Sequence, residues 1–289
     1  TRQAARAAPD LIVWPETSVP GFLGLDEPLT QLLFAVSRAA EVPMLVGAPH
    51  ARLDGVPRLR SGRRPERPST RMRSLGTVPS EVEARSRTDG ARWQTTNGAA
   101  LLQAGAIRQW YDKVHLVPFG EFIPFEGALP WLREVLPPIG DFVPGDGHTV
   151  FALPVKFSAL ICFEDLFPDL ARRFVQGGAR LLLVITNDAW FGPTAAAYQH
   201  AQASTFRAVE LRVPVARAAN TGWSGCIDAS GRWFGSVRDA DGAELFVPGT
   251  VACDLALPPA ADGQAGRSAY LRWGDWFAWL CIGLAAAWL

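Results

Sequence analysis

Residues 157–165 read Phe-Ser-Ala-Leu-Ile-Cys-Phe-Glu-Asp, an apolar run that ends in Cys162 and is followed at once by two acids. An apolar run of this length is typical of a buried strand, and the acids that follow it are typical of a turn. A cysteine on such a turn can be presented to a substrate, and its thiolate is a strong nucleophile once a neighbour takes the proton. The alternative is that Cys162 is an inert packing residue, as many buried cysteines are.

Two other stretches favour the chemical interpretation. An apolar run over 11–14 ends in Pro15-Glu16, and residues 110–121 place Lys113 and Glu121 about one short loop apart. The chain contains only two lysines among its 28 basic residues, so a lysine inside this motif suggests that an amine is needed there. A carboxylate, an ammonium and a thiol together can supply a base, an oxyanion stabiliser and a nucleophile.

The amino-acid sequences of four motifs also point to a known protein family. The motifs are WPET (14–17), YDKVHLVPFGEFIP (111–124), ICFED (161–165) and NDAWFG (187–192). In this order they resemble the apolipoprotein N-acyltransferases, membrane enzymes of the nitrilase superfamily. The resemblance runs from about residue 9 to the C-terminus and is interrupted at 51–92. It implies an α/β fold, the nitrilase-type α-β-β-α sandwich, with a catalytic triad of Glu16, Lys113 and Cys162.

The resemblance also implies roles for the residues around the triad. Glu16 would take the proton of Cys162, and Lys113 would stabilise the oxyanion together with the backbone N–H of Phe163. Glu121 and Glu164 match positions that matter for activity in the family. The alternative for both acids is a solvent-exposed carboxylate at a strand end. The aromatic residues expected to line a substrate channel, or simply to pack, are Phe119, Trp190 and Phe191.

A substrate pair, a location and the absence of a cofactor follow from the resemblance alone. A phospholipid would donate a fatty acyl chain to Cys162 as a thioester. The acceptor would be the N-terminal amine of a diacylglyceryl-cysteine in an apolipoprotein. No metal or organic cofactor and no nucleic acid is expected. The family is found in the bacterial inner membrane, with its catalytic domain on the periplasmic face.

The amino-acid composition is compatible with a membrane-associated enzyme of this family and identifies one unusual segment. The 289 residues are 48% hydrophobic and 19% charged, and the 11 tryptophans suit either a membrane interface or ordinary core packing. Residues 51–92 hold 11 arginines against 5 acids and few apolar residues, which predicts a disordered insertion. The four cysteines are widely spaced, so we expect neither a zinc site nor a disulfide framework.

Periodicity predicts layered α/β structure over residues 1–265, the expected catalytic domain. The predicted strands are 10–14, 43–48, 97–103, 106–111, 155–162, 180–186 and 213–218. The predicted helices are 28–41, 168–176 and 195–211, with a short one near 129–136. The first strand, helix and second strand form a βαβ unit.

The two ends of the chain depart from the family. The family has several transmembrane helices and a central strand ahead of the WPE strand, and residues 1–9 are too short and polar to supply that strand. We therefore expect a sandwich that is incomplete at one edge. The apolar run 276–289, preceded by aromatic and basic residues, predicts a short or truncated transmembrane helix within 270–289, although a buried core helix is the alternative.

Two other functions remain open from the sequence. A soluble carbon–nitrogen hydrolase could use the same triad on an amide. A truncated paralogue without activity could persist as a membrane-associated binding domain. The apolar tail and the VHLVPFGEF wording favour the acyltransferase.

Overall fold

In the part of the chain that the structure describes, two β-sheets pack face to face at the centre of the fold. The computed structural model describes residues 1–53, 93–128, 131–135, 140–259 and 268–288, so most of the insertion predicted at 51–92 lies outside the described residues. The strands of the first sheet, in spatial order, are β1 (Ile12–Val13), β2 (Met44–Leu53), β3 (Trp93–Gln103) and β4 (Ala106–Asp112). Those of the second sheet are β10 (Trp233–Ser236), β9 (Gly225–Ile227), β8 (Val215–Asn220), β7 (Leu182–Asn187), β6 (Lys156–Ile161) and β5 (Phe151–Ala152).

The helices fall close to their predicted positions. They are α1 (Arg2–Ala5), α2 (Glu27–Ala40), α3 (Leu132–Val135), α4 (Pro168–Gln176), α5 (Ala195–Leu211), α6 (Ala269–Trp273) and α7 (Trp276–Trp288). The predicted bounds of α4 and α5 are confirmed residue for residue. Helix α2 begins after Asp26, whose side chain accepts a hydrogen bond from the N–H of Leu29 at 3.2 Å and so caps the first turn.

Alternation along the first sheet creates two apolar faces. Strand β1 pairs in parallel with β2, while β2, β3 and β4 are antiparallel. On β2, Leu45 faces the second sheet, whereas Met44 and Val46 pack with Leu33 of α2. This period of two is what a strand buried on both faces requires. Within the described residues no strand pairs with the free side of β1.

The second sheet brings polar residues to a common edge. Strands β6, β7 and β8 are parallel, with Ile161 opposite Ile185 and Asn187 opposite Asn220. Because the carboxyl ends of parallel strands meet at one edge, Cys162 and the segment after Asn187 are neighbours there. Helices α4 and α5 cover the outer face of this sheet through residues such as Phe174 and Ala201. The layers are therefore α-β-β-α, and the nitrilase-type sandwich is confirmed.

The C-terminal region differs from its prediction. Helix α7 has 13 residues, none of them buried, and it follows α6, whose Leu271 carbonyl accepts hydrogen bonds from Arg172 and Gln176 at 3.1 Å. Among the described residues, no helix combines the length and the apolar character that crossing a membrane demands. The structure therefore does not support the transmembrane helix predicted within 270–289.

A disulfide corrects a second expectation. Cys226 on β9 is bonded to Cys253, with their Cα atoms 6.5 Å apart, whereas the wide spacing of the cysteines had suggested no such bond. Cys162 and Cys281 are free thiols. The bonded cysteines are 27 positions apart in the chain, and β10 lies between them, so their approach depends on tertiary folding, which spacing does not reveal.

Candidate active site

Cys162 lies where β6 turns into a short 3-10 helix. The strand ends at Ile161, and Cys162 itself has φ +53°, a left-handed conformation that is unfavourable for a residue with a Cβ. Such a sharp turn takes the side chain out of the strand's alternation and leaves the thiol half-buried at the sheet edge. The N–H of Phe163 belongs to the first turn of this helix, where N–H groups have no partner within the helix.

Glu16 is held against this edge from the other sheet. Its side chain is 5% exposed, and its Oε2 accepts a hydrogen bond from the backbone N–H of Asn187 at 2.8 Å. The backbone passes unusually close to β2 here, since a Cβ on Gly47 would lie 2.4 Å from the carbonyl oxygen of Pro15 and 2.6 Å from the Cα of Glu16. Position 47 therefore requires glycine for Glu16 to lie this deep.

Lys113 is fully buried between two carboxylates. Its Nζ lies 2.8 Å from Oε2 of Glu121 and 3.9 Å from Oε1 of Glu16, and its backbone N–H donates to the carbonyl of Asn97 at 2.8 Å. The Nδ2 of Asn97 donates to Oε1 of Glu16 at 2.6 Å and to Oε1 of Glu121 at 2.8 Å. The two acids, the amine and the amide thus form one buried network.

Burial sets the protonation states of this network. Burial raises the pKa of the Cys162 thiol to about 12; the negative charge of Glu16 adds to the rise, and Lys113 opposes it. Burial also raises the pKa of Glu16, although Lys113 and Asn97 act in the opposite direction. For Lys113, burial lowers the pKa, but Glu16, Glu121 and Cys162 outweigh it and the net shift is upward. The resting site therefore contains a neutral thiol beside a cationic amine, and the thiol needs a base to become nucleophilic.

Glu164 is buried rather than exposed at a strand end. Its Oε1 accepts hydrogen bonds from the Tyr111 hydroxyl and the Val114 N–H, each at 2.7 Å, and from the His115 N–H at 3.2 Å. Its Oε2 accepts from the Ile161 N–H at 2.8 Å. Burial raises its pKa to about 7 in spite of these donors. Glu164 ties the turn that carries Cys162 to the segment that follows Lys113, so it is a positioning group.

Sequence reasoning missed two polar members of this assembly. Asn97 was assigned only to a strand, and Tyr111 only to the end of the next one. One signal for Asn97 was available in the sequence. Asn97 begins an apolar strand that is expected to pair with the strand leading into Tyr111-Asp112-Lys113, and a polar side chain buried at such a position needs a hydrogen-bond partner.

The three predicted lining residues are all exposed. Trp190 is 83% exposed, Phe119 is 55% exposed and Phe191 is 39% exposed. Phe119 lies in the loop between Lys113 and Glu121, and Trp190 and Phe191 follow the edge at Asn187. Large apolar side chains held in water on loops beside a buried polar site are typical of a surface that contacts an apolar ligand.

Two histidines of the chain have partners of their own. The ring of His115 stacks on Phe167 with centroids 4.2 Å apart, and His200 is buried between Asp165 and Asp188. Within the described residues, no three His, Cys, Asp or Glu side chains are arranged to hold a metal ion.

The sequence of this chain is similar to the sequences of known proteins. The family model described as Carbon-nitrogen hydrolase matches residues 70–245. The apolipoprotein N-acyltransferase of Geobacter metallireducens is 36% identical over 99% of this chain and 46% of its own length. That of Brucella melitensis is 36% identical over 90% of this chain and 42% of its own length. The chain thus spans less than half the length of these relatives.

Solved structures show the same fold. An amidase from Nesterenkonia sp. has a TM-score of 0.50 and 20% identity, covering 82% of this chain and 77% of the amidase. A cysteine mutant of the Nesterenkonia AN1 amidase, described as belonging to the nitrilase superfamily, also gives a TM-score of 0.50 at 20% identity, over 81% of this chain and 76% of that one.

Proposed function

Because this chain belongs to the carbon–nitrogen hydrolase family, we propose that it is the catalytic part of an apolipoprotein N-acyltransferase. It transfers a fatty acyl chain from a phospholipid, through a thioester on Cys162, to the N-terminal amine of diacylglyceryl-cysteine in an apolipoprotein. The names of the relatives at 36% identity support this substrate pair.

The first half-reaction forms the thioester. Glu16 accepts the thiol proton as the sulfur attacks the ester carbonyl of the phospholipid, and the S–C bond forms. Lys113 and the N–H of Phe163 stabilise the oxyanion. The C–O bond then breaks, and the lysophospholipid oxygen leaves with the proton that Glu16 holds. The raised pKa of Glu16 supports its role as the proton acceptor.

The second half-reaction releases the sulfur. The acceptor's amine attacks the thioester carbonyl, the C–S bond breaks, and the nitrogen keeps the acyl group as an amide. Glu16 takes the proton that the amine loses and returns it to the departing sulfur of Cys162. Lys113 remains an ammonium throughout, because Glu16 and Glu121 raise its pKa.

Exposed apolar surface supports a lipid donor. Phe119, Trp190 and Phe191 present apolar area near the site, and α7 carries further exposed apolar side chains such as Phe277 and Trp279. Aromatic side chains of this kind favour the headgroup level of a bilayer. We place the domain at the bacterial inner membrane with these side chains against lipid.

The disulfide supports the outer face of that membrane. Bonds such as Cys226–Cys253 persist in oxidising compartments, including the bacterial periplasm, and are rare in the cytosol. The periplasmic face is also where a lipoprotein that has been exported would present its N-terminal amine.

The proposal rests mainly on one observation, the buried Glu16–Lys113–Glu121 network beside a neutral Cys162 thiol. The test is intact-mass spectrometry of the protein incubated with phospholipid vesicles. We expect a mass gain of one fatty acyl group that hydroxylamine removes, as it does a thioester.

The matched control is Cys162→Ala, which should show no adduct, whereas Cys281→Ala should behave as the unchanged protein. If folded protein acquires no acyl group from phospholipid yet releases ammonia from simple amides, the amidase reaction replaces this proposal. If it does neither, the chain does not perform acyl transfer. Addition of a diacylglyceryl-cysteine peptide to the acylated protein should restore the original mass.

A further inference from the structure

A second buried polar cluster lies behind Cys162, and the triad chemistry does not use it. Its members are Asp165, Asp188, His200, Ser204 and Arg217, all of them buried. They come from four separate elements: the turn after Cys162, the turn after β7, helix α5 and strand β8. The cluster therefore links the turn that carries Cys162 to the turn after β7, to helix α5 and to strand β8.

The charges in this cluster compensate one another. Arg217 donates to Oδ2 of Asp165 at 2.9 Å and to Oδ2 of Asp188 at 3.2 Å. His200 bridges the same two acids, with Nε2 3.1 Å from Asp165 and Nδ1 2.9 Å from Asp188. Burial and the charge of Arg217 lower the pKa of His200, but the two carboxylates raise it to a net value of about 9. Nη2 of Arg217 also lies 2.9 Å from Nδ1 of His200, so the imidazole, the guanidinium and the two carboxylates form one buried group that fixes the position of Asp188.

Thr186 connects this cluster to the nucleophile. It is fully buried on β7, and its Oγ1 donates to Oδ1 of Asp188 at 2.9 Å. Because Ile161 pairs with Ile185, the next residue of each segment, Cys162 after β6 and Thr186 on β7, lies at the same edge of the sheet, and the Thr186 hydroxyl is close enough to interact with the sulfur. That contact lowers the pKa of Cys162, in opposition to the much larger effect of burial.

We propose that Thr186 is a positioning residue that holds the Cys162 sulfur for attack, with Asp188 and the cluster behind it fixing the Thr186 hydroxyl. This inference rests on the proposed role of Cys162 as nucleophile.

The single hydrogen of the hydroxyl gives the contact two states. While the thiol is neutral, Thr186 donates its hydrogen to Asp188 and offers a lone pair to the thiol S–H. Once Glu16 has taken the thiol proton, rotation about the Cβ–Oγ1 bond turns the same hydrogen toward the sulfur anion. No proton leaves Thr186, and the sulfur gains a donor only in its reactive form.

The test compares Thr186→Val, which keeps the shape but removes the hydroxyl, with Thr186→Ser, which keeps the hydroxyl. Each protein is treated with iodoacetamide at pH 8, and alkylation of Cys162 and Cys281 is followed separately by peptide mass spectrometry. Cys281 is an exposed free thiol and serves as the internal reference. Alkylation needs no phospholipid, so this experiment can succeed or fail independently of the proposed acyl donor.

We expect Thr186→Val to slow alkylation of Cys162 by roughly 10- to 100-fold, the effect of losing a hydrogen bond to a charged atom. Thr186→Ser should stay within about threefold of the unchanged protein by the same reasoning, and Cys281 should not change in either. Thioester formation from phospholipid should slow by the same factor as alkylation.

Unchanged alkylation of Cys162 in Thr186→Val would overturn the inference, and so would an equal loss in Thr186→Ser, which would assign the effect to packing. Thr186→Ala is measured in parallel, so that a hydroxyl-free variant is available if valine prevents folding. Absence of acylation in the unchanged protein, together with alkylation of Cys162 slowed in Thr186→Val but not in Thr186→Ser, would count against the phospholipid donor and support the inference about Thr186.

Discussion

Replacing Lys113 by Met should destabilise the fold in a way that depends on pH. The ammonium is fully buried, 2.8 Å from Glu121 and 3.9 Å from Glu16, and methionine has a similar length without a charge. Without the cation, the two buried carboxylates keep only amide N–H donors: the side chain of Asn97 for both, the backbone of Asn187 for Glu16 and the backbone of Val117 for Glu121. An unpaired buried carboxylate is costly enough that it takes up a proton instead of remaining charged.

The free-energy cost of that protonation sets the expected loss of stability. From the ordinary carboxyl pKa of 4.5 for Glu16, binding one proton costs about 3 kcal/mol at pH 7 and about 1.4 kcal/mol at pH 5.5. Since breaking a buried ion pair by removing one partner typically costs about 3–5 kcal/mol, we expect a loss in that range at pH 7. The loss should shrink by about 2 kcal/mol at pH 5.5, because protonation is then cheaper.

The assay is urea denaturation followed by tryptophan fluorescence at both pH values. The matched control is the double variant Lys113→Met/Glu121→Gln, which removes one of the stranded charges and should be more stable at pH 7 than Lys113→Met alone. If the single and double variants lose the same stability, or if the loss is the same at both pH values, the charges are not buried and coupled as described.

Three further expectations follow from the protonation states and the disulfide. Glu16→Gln should abolish thioester formation at pH 7. Any residual rate should rise about tenfold per pH unit up to pH 9, because the Cys162 thiol, whose pKa is raised chiefly by burial, would then ionise only through solvent; a wild-type rate at pH 7 would contradict this. Glu164 has a folded pKa of about 7 against an ordinary 4.5, so the folded state binds its proton more tightly. Its contribution to stability is present below about pH 4.5 and falls by about 3 kcal/mol as pH rises to 7. Relative to Glu164→Gln, the unchanged protein should therefore lose stability over that range in urea titrations, and parallel curves would refute the shift. Reduction of Cys226–Cys253, or Cys253→Ser, should lower the unfolding free energy by about 3 kcal/mol, as expected for a loop of this length; an unchanged denaturation midpoint would count against the bond.

The sequence contained enough to predict the layers and the edge where the site lies. Apolar runs that end in Glu16 and Cys162 predict strands, and parallel pairing in the second sheet brings Cys162 to the edge shared with Asn187. The helix over 168–176 begins at Pro168 and is followed by Gly177-Gly178, and the helix over 195–211 follows Pro193-Thr194; these signals explain why the predicted bounds were correct. The resemblance of the motifs to a known family, rather than hydrophobic periodicity, predicted which acid and which amine would lie near the thiol.

What remained hidden depends on contacts between distant residues. Asn97 lies 81 residues from Glu16 in the chain, and only the pairing of β3 with β2 and β4 places its amide between two carboxylates. The Cys226–Cys253 bond likewise forms after the chain has folded back on itself. The transmembrane helix predicted within 270–289 is not supported by the described residues, in which no helix is long and apolar enough to cross a membrane.

The neutral resting thiol has a consequence for the durability of the enzyme. In a compartment oxidising enough to join Cys226 to Cys253, an exposed thiolate would be consumed by peroxides and by exchange with other disulfides. In the proposed mechanism Cys162 escapes this, because burial raises the pKa of its thiol and keeps the sulfur protonated until Glu16 takes the proton within the occupied site. The same burial that makes a base indispensable thus protects the nucleophile from oxidation between turnovers.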